Sequence, residues 1–340
     1  MPASHDHFIT ELNEKVLTWY RDRGIKRFEN PQGVLHAGIA LACNHIRKVM
    51  LLTGFSVDMD SDTGLPLPET DGPPGTAALA RALQQVGKAV IIVTDKANEA
   101  PARAALSALD EDAAQFTQFV TFDERQGPNA ERFARLLLDQ HHPDAVVSIE
   151  LPGRNHMLDG TRRNMRGKVV DDFNGSVDEI LIQANKIDVL TIGIGDGGNE
   201  AGMGALLGIP LAMDGSKMAS AVPARHAVTA WNSNLGAEAL AAIILQRHGK
   251  LDVLHTPEDQ TAMIKAAMNA GAVDGVTRGN GIDEVFANGV SGVDGHSCFV
   301  HNRMLRLLRF IVQTKLSVDY ALVQGSNDIH LETAVGLPFR

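Results

Sequence analysis

The stretch "TIGIGDGGNEAGMG", Thr191 to Gly204, places six glycines in fourteen residues directly behind a short apolar run. Gly193, Gly195 and Gly198 spell G-x-G-x-x-G, the turn in which a dinucleotide pyrophosphate meets backbone N–H groups at a helix N-terminus. That turn needs an apolar residue just before its third glycine and nothing negative near the phosphates. Here the position is held by Gly197, Asp196 lies inside the turn and Glu200 follows it. A helix continuing through Gly202, Gly204 and Gly208 would lose about 1 kcal/mol at each relative to alanine. Asp214 stands near where a ribose-binding acid would fall, yet the acidic loop suits a divalent cation or an ammonium group better. No nicotinamide or flavin cofactor is expected.

Around this loop, apolar runs of strand length alternate with helical patterns. The runs are "KVMLLTG" (48 to 54), "AVIIVTD" (89 to 95), "FVTF" (119 to 122), "AVVSIE" (145 to 150) and "VLTIGIG" (189 to 195). Between them "TAALARALQQVGK", "ANEAPARAALSALDE" and "NAERFARLLLDQHH" carry apolar residues at three- and four-residue spacing. Strands that read as continuous Val/Ile/Leu are buried on both faces, so the fold class is α/β, a largely parallel sheet covered by helices on both faces. Further on, "PARHAVTAWNSNLGAEALAAIILQRHG" (223 to 249) and "NRMLRLLRFIVQ" read as helices, as does "TPEDQTAMIKAAMNAGA", with Thr256 as its N-cap. The chain divides into an N-terminal helical extension (1–30), a single α/β domain (31–315) and a C-terminal tail (316–340). Two polar connections, 56 to 75 and 151 to 175, are longer than connectors need to be and are read as functional loops.

Composition narrows the function. The 340 residues are 44% hydrophobic, enough for a sizeable core, and carry a net charge of −10. No general electrostatic term favours nucleic acid or an anionic membrane surface, so neither is an expected partner. Cys43 and Cys298 form no C-x-x-C pair, and the polar N-terminus lacks an apolar leader core. These features read as a cytoplasmic protein acting on a small molecule, with the helical C-terminal half available for a homo-oligomer interface.

The strand "AVVSIE" ends in Glu150, and ligands collect at C-terminal strand ends of open α/β sheets. Glu150, Asp196 and Glu200 are therefore candidate ligands for Mg²⁺ or Mn²⁺, which favour oxygen donors. Each carboxylate can equally cap a helix or bond a turn. The opposite charge comes from "DGTRRNMRGK", with Arg162, Arg163, Arg166 and Lys168. Arg162 and Arg163 read as a solvated face, whereas Arg166 is the candidate for gripping a carboxylate or phosphate through paired hydrogen bonds. His226 and His301 are second-rank candidates. G-x-S-x-G and the P-loop pattern are absent.

Several segments together resemble the D-glutamate cyclase-like C-terminal domain family, as a stand-alone, bacterial-type member. They are "TGF" (53 to 55), "ETDGPPGTAALARAL" (69 to 83), "SIE" with "PG" and "DG" (148 to 160), "NMRG" (164 to 167), "IGIGDGGNEAGMG" (192 to 204) and "GVSGVDG" (289 to 295). The resemblance runs from about residue 47 to residue 312 and implies a Rossmann-like core. It also implies conversion of D-glutamate to 5-oxo-D-proline with loss of water, the lyase activity of assigned members. For such a cyclisation the catalytic candidates are Glu150 and Asp196, as holders of a metal that polarises the carboxyl, and Asp71 or Asp294, as relay of the amine proton; Arg166, for the α-carboxylate, and Asn164, Asn199, Gly72, Gly197 and Gly198 are the substrate-binding candidates. Two positions depart from the family pattern: Leu151, where arginine is expected, and Leu235, where tryptophan is expected. The same acidic and basic loops also suit a divalent-metal-dependent phosphohydrolase, or a non-catalytic sensor of a small molecule.

Overall fold

The computed structural model describes residues 3–19, 29–125, 127–155, 160–206, 218–277 and 292–315. Asp214, residues 289–291 of the last motif and the tail after residue 315 lie outside them.

Six parallel strands form the central sheet: β1 (Lys48–Thr53), β4 (Ala89–Thr94), β5 (Gln118–Thr121), β6 (Ala145–Ile149), β7 (Leu190–Gly195) and β8 (His226–Thr229). Their spatial order is β5-β4-β1-β6-β7-β8, with every neighbouring pair parallel. Counting only these six, the order is 3-2-1-4-5-6, the doubly wound Rossmann arrangement, whose switch point lies between β1 and β6. The alternating pleat sorts the apolar runs by face. Val49, Leu51, Val90, Ile92, Val147 and Ile149 pack on one side with residues of α2 (Gly33–Ala42), α3 (Pro73–Gln85), α4 (Lys96–Leu109) and α8 (Ser233–Arg247). Met50, Leu52, Ile91, Val93 and Val146 pack on the other with α6 (Pro128–His141) and α7 (Asp178–Ala184). Helices thus cover both faces.

The N-terminal helix α1 (Ala3–Leu12) and the π-helical turn Asn13–Leu17 contribute Phe8, Leu12, Val16 and Leu17 to the first of these cores. Helices α5 (Glu111–Phe116), α9 (Pro257–Asn269) and α10 (Cys298–Lys315) complete the set among the described residues. The Thr256 expectation holds: its hydroxyl accepts from the Asp259 amide, and the Asp259 carboxylate accepts from the Thr256 amide, a full capping box.

Three expectations need correction. The segment from residue 223 to residue 249 is not one helix. His226–Thr229 forms the edge strand β8, and the helix starts only at Ser233, where Asn232 accepts the Leu235 amide as N-cap. Four residues are too few for periodicity to separate a strand from the helix behind it. The 56 to 75 connection is not a plain loop, because β2 (Ser56–Met59) and β3 (Pro66–Pro68) pair within it as an antiparallel hairpin. Arg162 is not solvated. It is 1% exposed, held by Asp171 at 2.6 Å and by the fully buried Asp178. The 151 to 175 connection therefore has its own charged anchor, which a run of basic letters does not distinguish from a surface patch.

Candidate active site

The glycine-rich loop follows β7, the fifth strand of the doubly wound order, whereas a dinucleotide fingerprint occupies the first strand-to-helix turn. Its glycines serve close backbone packing. A Cβ on Gly193 would lie 2.4 Å from the Gly202 Cα, so the loop folds directly onto its own strand. The N–H groups of Gly197 and Gly198 point at the Glu200 carboxylate, at 2.9 and 2.8 Å. A pyrophosphate would have to displace that carboxylate.

Glu150 directly follows β6 with φ of 41°, and Asp294 has φ of 54°. The latter sits with Gly295 in the two-residue turn between β9 (Gly292–Val293) and β10 (His296–Ser297). Left-handed backbone at a non-glycine residue is uncommon and recurs at functional sites. The Asp294 turn is braced by Asp274, whose carboxylate accepts the Gly295 amide, and by His301, whose Nε2 lies 3.1 Å from the Val293 carbonyl.

Asp71, Glu150 and Asp196 each offer one carboxylate oxygen within 4.8 Å of the other two, and all three residues are buried. Asp71 therefore occupies the place expected of Glu200 in this group, while Glu200 bonds the glycine turn. Burial of like charges this close is costly unless protons or a cation neutralise them. An oxygen-only donor set of three carboxylates has the chemistry that hard divalent ions such as Mg²⁺ or Mn²⁺ prefer, with remaining positions left to water or ligand. Glu69, two residues before Asp71, is also buried. Burial first, then the charges of Asp294, Asp71 and Asp196, pushes its pKa well above the usual carboxylate range. Glu150 is raised likewise, by burial and then by Glu200, Glu69 and Asp71, against an opposing hydrogen bond from Ser233.

A cavity of about 140 Å³ opens on this group, lined by Glu69, Glu150 and Asp294 among the acids, by Asn164, Arg166 and Asn199, and by apolar residues including Phe55, Val57 and Val276. At about 30 Å³ per liquid water it is sized for a compact metabolite rather than a dinucleotide. Asn164 shapes its wall: Oδ1 accepts the Arg166 and Lys168 amides while Nδ2 donates to the Val57 carbonyl. Asn199 donates to the Arg163 carbonyl at 2.9 Å. The Arg166 guanidinium reaches the Val276 carbonyl at 3.1 Å, on the exposed side of the cavity. Gly72, with φ of 105°, opens α3 with its amide on the Asn234 side chain. A side chain there would meet Thr53 and Glu150. Leu151 and Leu235, the two departures from the expected pattern, are buried in the cores on opposite sheet faces.

The two candidate histidines differ in position, and only His301 lies near one of the acids, Asp294. His226 lies on the edge strand beside His36, its pKa pushed down to about 4 by burial and then by His36. His301 is stacked on Trp231 at 5.2 Å. What sequence reasoning missed is Glu69, together with Asn232, Ser233 and Asn234 at the start of α8. Glu69 lay inside the quoted "ETDGPPG" signature, and its spacing of two from Asp71 on an extended segment was the available signal. The α8 residues were hidden by reading a helix through them.

Comparison with known proteins bears on the family. The family model described as "D-glutamate cyclase-like, C-terminal" matches residues 12–309. The human protein "D-glutamate cyclase, mitochondrial" is 32% identical over 244 residues, covering 69% of this chain. The aligned part spans only 38% of that relative's own length. The chain belongs to the D-glutamate cyclase-like, C-terminal family.

Proposed function

We propose that the protein is a hydro-lyase that cyclises an acidic amino acid, converting D-glutamate to 5-oxo-D-proline with release of water. The observation that carries this reading is a cavity lined by Glu69, Glu150, Asp294 and Arg166, in which Glu150 also belongs to the close group of three buried carboxylates. The named activity of the human relative agrees with it.

In this reading Arg166 grips the α-carboxylate, and Asn164 and Asn199 fix its approach. Gly72, Gly197 and Gly198 keep the backbone around the pocket free of side chains. Asp294 takes a proton from the substrate ammonium, leaving a free amine to attack the side-chain carboxyl carbon. Glu69, whose buried carboxyl the neighbouring acids push toward its protonated form, supplies one to the oxygen that departs. Two protons leave nitrogen and two reach oxygen, so water departs and no net proton is consumed. Asp71, Glu150 and Asp196 would hold a divalent cation, and such an ion supplies Lewis acidity toward the carboxyl group. Phe55 and Val57, both buried, give the pocket an apolar wall beside these charges.

Incubation with D-glutamate should produce 5-oxoproline, detected as loss of one water by mass spectrometry, with L-glutamate as the stereochemical control. Mn²⁺-dependent phosphate release from a phosphoester, without cyclisation, would favour a phosphohydrolase instead. Tight binding of D-glutamate without product would favour a sensor.

A further inference from the structure

Three consecutive side chains, Asn232, Ser233 and Asn234, are each 0% exposed, and none is among the residues lining the cavity. Each nevertheless bonds a different segment of the site. Asn232 Nδ2 donates to Asp294 at 2.7 Å. Ser233 Oγ donates to Glu150 Oε2 at 2.5 Å, and the Ser233 and Asn234 amides donate to the two oxygens of Asp71 at 2.9 and 2.8 Å. Asn234 Oδ1 accepts the amides of Gly72 and Gly75.

We infer that Ser233 is a positioning residue of the acid centre, fixing Glu150 and Asp71 relative to one another so that both present an oxygen to the same point. A serine at a helix start ordinarily caps the helix, but here Asn232 does so, which leaves the Ser233 hydroxyl for Glu150. Ser233 also grips Asp71 through its amide, so one residue ties together acids from the ends of two chain segments about eighty residues apart. The inference rests on the acid centre being the reactive site proposed above. Groups that orient ligating carboxylates typically change metal affinity or activity by about 10- to 100-fold when removed.

The test is calorimetric titration of the full chain with MnCl₂, alongside turnover of D-glutamate, for wild type, Ser233→Ala and Ser233→Thr. Ser233→Ala should bind Mn²⁺ about 10- to 100-fold more weakly, with kcat reduced more than KM is raised. Ser233→Thr, which keeps the hydroxyl, should recover most of both. Thermal unfolding in EDTA should change little, separating positioning from a structural role. Should the alanine variant fail to fold, Ser233→Cys fills the same space with a much weaker donor and should show the same loss. Unchanged Mn²⁺ affinity and kcat in Ser233→Ala would overturn the inference alone. A wild-type protein that neither binds Mn²⁺ nor turns over D-glutamate would overturn the underlying reading first, and the inference with it.

Discussion

Asp196 leaves the end of β7 to join Asp71 and Glu150 in the only three-acid group of metal-ligand geometry among the described residues. Replacing it with asparagine keeps size and hydrogen bonding but removes a charge that a cation, and the oxyanion beside it, would feel. Turnover of Asp196→Asn should fall by about 100-fold or more, with the melting temperature close to wild type. A steady-state assay and a thermal melt on the same sample check both. Gly202 offers a structural contrast: its φ is 105°, and a Cβ would meet Gly193 at 2.3 Å. Gly202→Ala should destabilise the protein by more than about 1 kcal/mol, read by urea denaturation, because the loop can no longer close on its strand.

At the scale of elements, helix α8 is buried along nearly its whole length, so every side chain from Ser233 to Leu245 is a core side chain. One of these is Glu238, fully buried, its pKa pushed up to about 8 by desolvation. His255 lies 3.9 Å away and is pushed down to about 4 by burial, so it offers no positive charge at neutral pH. A carboxyl raised in the folded state binds its proton more tightly there than in the unfolded chain. Its contribution is full below the unfolded value near 4.5 and is lost as pH rises toward 8. Stability should therefore fall with pH across that window, by up to about 1.4 kcal/mol per unit from this group. Glu238→Gln should flatten the slope in denaturation curves taken from pH 5 to pH 8. The anchor of the 151 to 175 connection is a second element-scale case. Arg162→Met strands Asp178 in the core without its partner and should cost about 3–5 kcal/mol in urea denaturation.

These two elements also show what was legible in the letters and what was not. Strands β1, β4, β6 and β7 announced themselves because burial on both faces demands unbroken apolar runs, and Thr256 announced α9 because a capping box is local chemistry. Glu150 and Asp196 were readable for a related reason, since both directly follow apolar strands. Arg162 was not, because only the fold brings Asp178 to it. Nor was Ser233, whose partner Glu150 comes from a strand that lies beside α8 only in space. Glu200 was readable as an acid in the loop, but its bonds to Gly197 and Gly198 depend on how the turn closes.

For the molecule as a whole, the 3-2-1-4-5-6 sheet places its switch point between β1 and β6, and the acid centre lies at the same C-terminal edge. A fold often associated with dinucleotides here surrounds a small, acid-lined cavity. No described helix is long and apolar enough to cross a membrane. A cation held at the centre would couple to global stability, because it would bind the folded chain and not the unfolded one. At a hundredfold excess over its dissociation constant it should add about 2.7 kcal/mol, seen as a rise in melting temperature that EDTA reverses. The most direct measurement is a chiral assay of D- and L-glutamate, each with Mn²⁺ and with EDTA, following 5-oxoproline. The expected result is product from D-glutamate with Mn²⁺, little from L-glutamate, and loss of product in EDTA. Absence of 5-oxoproline from D-glutamate in the presence of Mn²⁺, from protein shown to be folded, would contradict the assignment.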